Sequence, residues 1–431
     1  MSLASSTLLV MASRILVMFA GLIVSVVAAR SLSSVEQGYF FTFMSLAAAQ
    51  TLFELGITNL ILHHMSHTRA GVLSAKTPEE KNAALTLATS TRAYSTRYFQ
   101  RAAGLFAICV GAGGVAFFAW SKSAQVVHWQ LPWAVMVAGT ALSLFNLNYY
   151  SYLEAFGRLG MSYRVRMTST FILIFTFVFA ATLWGGLLSY PLALLTANLT
   201  AFILLHRGCA DVDLEHGLTR RTRARPIDIG REQRKMAASS IAGYVTTNSL
   251  TPYAFHFFGA EVAGQVGLTL ALFSAIAAVA MARTTAEAPA YGPLIAAGSW
   301  TTLIHRFRYT LFFSVGLALL LGALAIAAQV VGVVLLPSYG NRVLDTTGFV
   351  TVGLLIVANV TLSVTSTVLR AFKTEQLMWP SLSAALVVLA AQLGLRLEPT
   401  HCLALLAAFN GLIFFPYARH LLITQVTLRH G

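Results

Sequence analysis

Twelve stretches of this chain stay apolar over about 20 residues, the length at which a helix crosses the hydrocarbon core of a bilayer. They lie near 8–28, 38–62, 102–120, 131–154, 164–184, 186–206, 237–257, 262–289, 307–331, 346–370, 377–394 and 400–424. Inside lipid each backbone N–H and C=O needs a partner within the chain, and runs of this length meet that need as helices. Only 10% of the residues are charged and 57% are hydrophobic, where soluble domains carry roughly 25% charged residues. The expected fold class is an all-α integral membrane protein with about 12 transmembrane helices. The opening "MSLASSTLLVMASRIL" has no basic n-region and no small-residue cleavage site, so the first run is expected to be a retained helix.

The charges give an orientation. If the N-terminus is cytoplasmic, the inner segments hold 24 of the 29 Lys and Arg residues and the outer turns hold four, Arg30, Lys122, Arg342 and Arg396. Arg14 is left inside the first run. Such a split is the positive-inside signature of a multi-pass protein with both termini in the cytoplasm. The net charge of +14 then reads as contact with anionic lipid headgroups, not with nucleic acid. The outer loops are short, leaving no room outside the membrane for a catalytic domain, and no P-loop is present for direct ATP coupling. Neither an enzyme with an outer catalytic domain nor an ATP-driven pump is expected.

The charged stretch "HRGCADVDLEHGLTRRTRARPIDIGREQRK" parts six runs from six. The expected organisation is a lobe over 1–206, a basic cytoplasmic linker over 207–236 and a second lobe over 237–431. "SYLEAFGRLGMSY" closes the fourth run and "TVLRAFKTEQLMW" the tenth, so that Leu153, Ala155 and Phe156 align with Leu369, Ala371 and Phe372 at an offset of 216. The turns "SLSSVEQGYF" and "FFGAEVAGQV" match likewise, with Gly38 over Gly264. Six runs per half make this a parallel 6+6 pseudo-repeat. Gly185 and Gly186 are the expected turn between runs five and six.

Polar side chains inside the runs mark candidate sites. Ser240, Tyr244, Thr247, Asn248 and Thr251 recur at helical spacing in run seven, with Pro252 and His256 beyond. Run ten carries Asn359, Ser363, Ser366 and Arg370, and run four carries Ser143, Asn146, Tyr150 and Glu154 on the matching face. Glu154 and Arg370 are gate or repeat-related candidates. Such stripes serve either helix–helix hydrogen bonding or a wet cavity. The charges within the membrane are Arg14, Glu54 and, near the cytoplasmic boundary, Arg283 with Glu287 one turn on. Glu54 either neutralises Arg14 or faces a cavity with it; Arg283 either snorkels or meets a substrate.

Three other features point away from metal, nucleotide or disulfide chemistry. "VGAGG" at 110–114 is a helix-packing glycine cluster. His63, His64 and His67 have no carboxylate nearby and read as a solvated helix end, not a metal site. Cys109, Cys209 and Cys402 show neither metal-ligand spacing nor a disulfide framework.

The opening "SRILVMFAGLIVSVVAARSLSSVEQGYFFTFMSLAAAQTLFELGI" resembles polysaccharide flippases of the MOP superfamily, and more narrowly the Wzx-type O-antigen transporters. The residues that carry the resemblance are Ala29, Arg30, Leu32, Glu36, Gly38, Tyr39, Glu54, Leu55 and Gly56. It covers roughly the first 65 residues and implies two six-helix lobes around a central cavity, working by alternating access in the bacterial inner membrane. The implied substrate is an undecaprenyl pyrophosphate-linked saccharide of lipopolysaccharide biosynthesis. Polysaccharide polymerase and chain-length proteins are implied as partners, beside membrane lipids. Arg14 and Arg283 would attract the pyrophosphate, and Tyr244, Thr247, Asn248, Thr251 and His256 would contact sugars. Glu54 would tune Arg14 or carry a coupling ion, proton or sodium; no other cofactor is implied. Competing readings are a MATE-like cation-coupled exporter, a lipid-linked peptidoglycan precursor flippase, and a membrane glycosyltransferase or polymerase of the same pathway. The exporter calls for an acidic cavity, and the enzymes call for substantial outer loops.

Overall fold

The computed structural model describes residues 3–54, 56–120, 127–216, 231–335, 340–372 and 377–430, and every regular element among them is helical. In the first half these are α1 (Leu3–Ser31), α2 (Ser34–Ala47), α3 (Gln50–Glu54), α4 (Ile57–Ser74), α5 (Pro78–Ala119), α6 (Gln130–Ala155), α7 (Leu159–Leu183) and α8 (Ser189–His216). In the second they are α9 (Arg231–Asn248), α10 (Leu250–Phe258), α11 (Ala260–Ala280), α12 (Ala282–Ala296), α13 (Trp300–Leu335) and α14 (Thr346–Ala371). After these come α15 (Met378–Leu389), running into a π-helical turn at Ala390–Gly394, and α16 (Pro399–Phe409), joined by a second π turn at Asn410–Phe414 to α17 (Phe415–His430).

Among the described residues eight helical runs are long and apolar enough to cross a membrane: α5, α6, α7, α8, α11, α13, α14 and the continuous α16–α17. Shorter apolar helices at Ile15–Ser31 and Met378–Gly394 account for expected runs one and eleven. Runs two, seven and eight are broken, the last at Met281 between α11 and α12, where one helix was expected over 262–289.

The second run, expected as one helix over 38–62, is three pieces. After α2 the chain tightens, with the Ala49, Thr51 and Leu52 N–H groups donating to carbonyls only three residues back, Leu46, Ala48 and Ala49. Gly56 then takes φ +70°, a conformation open to glycine at little cost. In the seventh run Pro252 has no N–H to return to residue 248 and its ring crowds that carbonyl. The helix breaks there, between Asn248 and Leu250, and the Ser249 hydroxyl caps the Val245 carbonyl at 2.6 Å. Gly185 and Gly186, both at positive φ, make the turn between α7 and α8 as expected.

The repeat extends to the helix ends. α6 and α14 are both 26 residues long, and each starts and stops at the 216-residue offset. α2 and α11 begin at Ser34 and Ala260, the offset that places Gly38 over Gly264. Leu153 and Phe156 are buried, as are Leu369 and Phe372.

The chain folds as two compact units, one of residues 1–36 and 43–240, the other of 37–42 and 241–431. In the first, α6 packs on α5 and α8, α7 on α8 and α1. The glycine cluster on α5 serves this packing. The Gly111 carbonyl accepts the Trp133 indole N–H at 3.0 Å, and a Cβ at Gly114 would occupy the space of the same ring. In the second unit six residues of α2 lie along α11. Gly38 meets the Ala260 backbone, Phe41 covers Gly267, and Tyr39 meets Phe255 edge-on at 4.8 Å. The basic linker expected at 207–236 lies, over 217–230, outside the described residues.

Candidate functional site

In the second unit the break in run seven and the first π turn meet at one cavity of about 100 Å³ with a polar stripe in apolar walls. Its polar lining is Thr246 and Thr247 of α9, Ser274 of α11, Asn359 of α14 and Gln392 of the first π turn, with leucine, isoleucine and valine between them. Thr246 and Thr247 stand in the last turn before the Pro252 break. Thr247 donates to the Gly243 carbonyl at 2.7 Å and accepts from Asn248 at 2.8 Å. Asn359 accepts from Asn410 of the second π turn at 2.8 Å. Gln392 is 2% exposed; its Oε1 lies 3.1 Å from the Ser249 hydroxyl, while its Nε2 has no partner among the described residues. Gln392 and Asn410 lie in the two π turns, local departures from α-helical register of a kind frequent at functional sites. Hydroxyls and amides in apolar walls can hold water or the polar groups of a ligand; among the described residues no carboxylate lines the cavity.

The remaining candidates of the second unit lie apart from this cavity. Thr251 is buried and Tyr244 half-buried. His256 is exposed at the far end of α10, its ring edge-on to Phe257 at 4.8 Å. Arg283 is occupied within the unit. It lies 3.6 Å from Glu287, which also takes Arg306 at 3.4 Å, and its guanidinium sits over the Tyr309 ring at 4.2 Å. Arg370 is exposed in the last turn of α14.

In the first unit Glu54 ends α3, half-buried and beside Tyr98, whose hydroxyl donates to the Phe53 carbonyl at 2.9 Å. The broken second run presents the carboxylate here. Among the described residues Glu54 has no ion-pair partner. Arg14 falls within α1, and its side chain lies outside the described residues, as do those of His63 and His67. Glu154 accepts from Ser162 at 2.7 Å and from Arg166 at 3.1 Å, and Arg166 lies over Tyr150 at 3.9 Å.

Two further groups of the first unit were missed by sequence reasoning. Arg92 pairs with Asp213 and stacks on Tyr152 at 4.3 Å, while Tyr152 donates to Asp213 at 2.7 Å. One turn along α5, Ser95 donates to Asn148, whose amide reaches Thr96 at 3.2 Å. In the sequence both charges fall outside the apolar runs, which locate membrane spans and not the ends of helices that continue beyond them. Tyr152, at helical spacing beside Asn148, was the available signal.

No protein-family model and no curated protein matches the sequence. Solved structures do match along nearly the whole chain. An inward-facing multidrug resistance MATE family transporter of the MOP superfamily shares 13% identity over 94% of this chain and 98% of its own, with a TM-score of 0.58. An outward-facing transporter of that description gives 0.59 at 14% identity, over 98% of this chain and 96% of its own. A MOP superfamily transporter from Pyrococcus furiosus gives 0.58 at 14%, over 98% and 95%. The chain has the fold of MOP-superfamily transporters. Identities this low establish the fold and leave the substrate to be argued from this chain's own residues.

Proposed function

We propose that this protein is a flippase moving an undecaprenyl pyrophosphate-linked oligosaccharide, an O-antigen or similar repeat unit, from the cytoplasmic to the periplasmic leaflet by alternating access. The observation that carries this reading is the chemistry of the second unit's polar cavity. Thr246, Thr247, Ser274, Asn359 and Gln392 offer hydroxyls and amides and no carboxylate. Such groups match the alternating donors and acceptors of a sugar, whereas a cationic drug would be met by acids. The basic excess on the expected cytoplasmic side supports an anionic lipid-linked cargo. The family-like opening from Ala29 to Gly56 supports the same class. For the Pyrococcus furiosus transporter of this fold, a binding pocket of reverse polarity was taken to suggest a different function.

A second reading is a MATE-like cation-coupled exporter, and Glu54 favours it. A half-buried carboxylate at a helix break, beside Tyr98, is suited to a proton or sodium ion. In the flippase reading the same group couples transport to that ion. Mass spectrometry of lipids that co-purify with the protein separates the two. The flippase predicts a polyprenyl pyrophosphate bearing sugars, and its absence from protein purified out of a strain that makes such a lipid counts for the exporter.

A further inference from the structure

The two halves of the repeat differ at one place where each carries an arginine. In the first unit Arg92 of α5 is closed in, paired with Asp213 of α8 and stacked on Tyr152 of α6. The two charged side chains are 17% and 10% exposed, and Cys209 of α8 is buried nearby. The 216-residue offset carries Arg92 to Arg308 on α13 and Tyr152 to Val368 on α14. On α17, which follows α16 as the later part of α8 follows its start, Arg419 and Ile423 line one groove with Arg308. The second unit thus keeps the arginine, has among the described residues no acid or tyrosine in the groove where it lies, and places a second arginine there.

The crevice that Arg92 and Asp213 close in the first unit is open in the second. Between α13 and α17 lies a groove of about 500 Å³ that both Arg308 and Arg419 line. Its walls are Phe307, Leu311, Phe312, Phe415 and Ile423, with Thr365 of α14 and Thr427 of α17 the neutral polar groups, and among the described residues no acid lines it. Both arginines are exposed, and among the described residues neither has an ion-pair or hydrogen-bond partner. Arg308 is eight residues into α13, about 12 Å along it, near the membrane boundary at the end that carries the basic excess.

We propose that this groove seats an anionic phospholipid, its phosphate held between Arg308 and Arg419 and one acyl chain laid along the aromatic wall. Guanidinium groups without a counter-charge are costly against hydrocarbon, and a phosphate diester supplies oxygens that match their planar forks. Basic pockets between transmembrane helices bind anionic headgroups in this manner. The apolar length of the groove fits a lipid better than a free anion. The inference rests on the comparison of the two halves and is independent of the cargo.

The test uses the full chain, purified and delipidated in detergent, with thermal stability and native mass spectrometry as readouts. Wild-type protein should bind and be stabilised by phosphatidylglycerol and not by phosphatidylcholine. Arg308→Gln with Arg419→Gln should lower the phosphatidylglycerol affinity roughly 30-fold, at about 1 kcal/mol for each arginine. Arg308→Lys with Arg419→Lys should fall between, keeping charge without the fork. Equal binding of the two lipids by the wild type would overturn the proposal even if the glutamine variant did not fold. So would unchanged affinity in a folded glutamine variant. Full displacement of phosphatidylglycerol by equimolar inorganic phosphate would overturn the assignment to a lipid.

Discussion

Gln37 and Arg342 exchange two hydrogen bonds across 305 residues of sequence. The Gln37 amide donates to the Arg342 carbonyl at 2.9 Å, and its carbonyl accepts from the Arg342 guanidinium at 3.3 Å. The same amide also donates to Gly264 at 2.9 Å. This fastening belongs to the second unit, although Gln37 comes from the second helix of the chain. One residue on, Gly38 lies against the Ala260 backbone so closely that no Cβ fits.

Gly38→Ala should therefore destabilise the protein by about 1–3 kcal/mol, the usual cost of overpacking, since a backbone carbonyl cannot step aside as a side chain can. Gln37→Ala should cost less, about 1 kcal/mol for the lost hydrogen bonds net of solvation. Thermal unfolding in detergent, followed by fluorescence, measures both. A Gly38→Ala protein as stable as the wild type would show that α2 does not lie on α11.

Asp213→Asn should be more harmful than either. It strands Arg92 beneath Tyr152, and breaking a buried pair costs about 3–5 kcal/mol, nearer the lower figure here because neither side chain is fully shielded. Adding Arg92→Gln should restore most of the loss, because the double variant holds no lone charge. A double-mutant cycle on thermal stability checks this. Purely additive losses would contradict a direct pairing.

The polar cavity yields a prediction that separates folding from function. Gln392→Leu should leave stability within about 1 kcal/mol of the wild type, since its Nε2 has no partner to lose. Thr247→Val with Asn359→Leu should remain folded yet reduce surface polysaccharide when it is the only copy in the cell. If surface polymer is made at the wild-type level by the double variant, the cavity does not handle cargo.

Much of the fold is legible in the sequence because lipid allows so few choices. Apolar length marks the spans, paired glycines mark the α7–α8 turn, and a few residues around Leu153 and Leu369 expose a repeat that the helix ends then match. The breaks are harder to read. Pro252 stands beside the polar stripe in the sequence, but its consequence, opening the helix beside Thr246 and Thr247, depends on which carbonyl it crowds. The turn after Ala47 has neither proline nor glycine to announce it. Of the candidate residues, Thr247 meets Asn359 at one cavity, whereas Arg283 is engaged by Glu287 and Tyr309. Which charges pair is set by tertiary packing, so Arg92 and Asp213, far apart in the sequence, could be read only as loop charges.

The most direct test of the account is lipid flipping by the purified protein. Proteoliposomes are made with undecaprenyl pyrophosphate-linked oligosaccharide in both leaflets, and the glycan is exposed to a glycosidase that cannot cross the membrane. Protein-free vesicles should yield only the outer-leaflet share. With the wild-type protein and an imposed proton or sodium gradient, nearly the whole population should become accessible, and Thr247→Val with Asn359→Leu should return it toward the protein-free share. Accessibility unchanged by the wild-type protein under either gradient, in vesicles that do exchange a cationic dye, would contradict the flippase and establish the exporter.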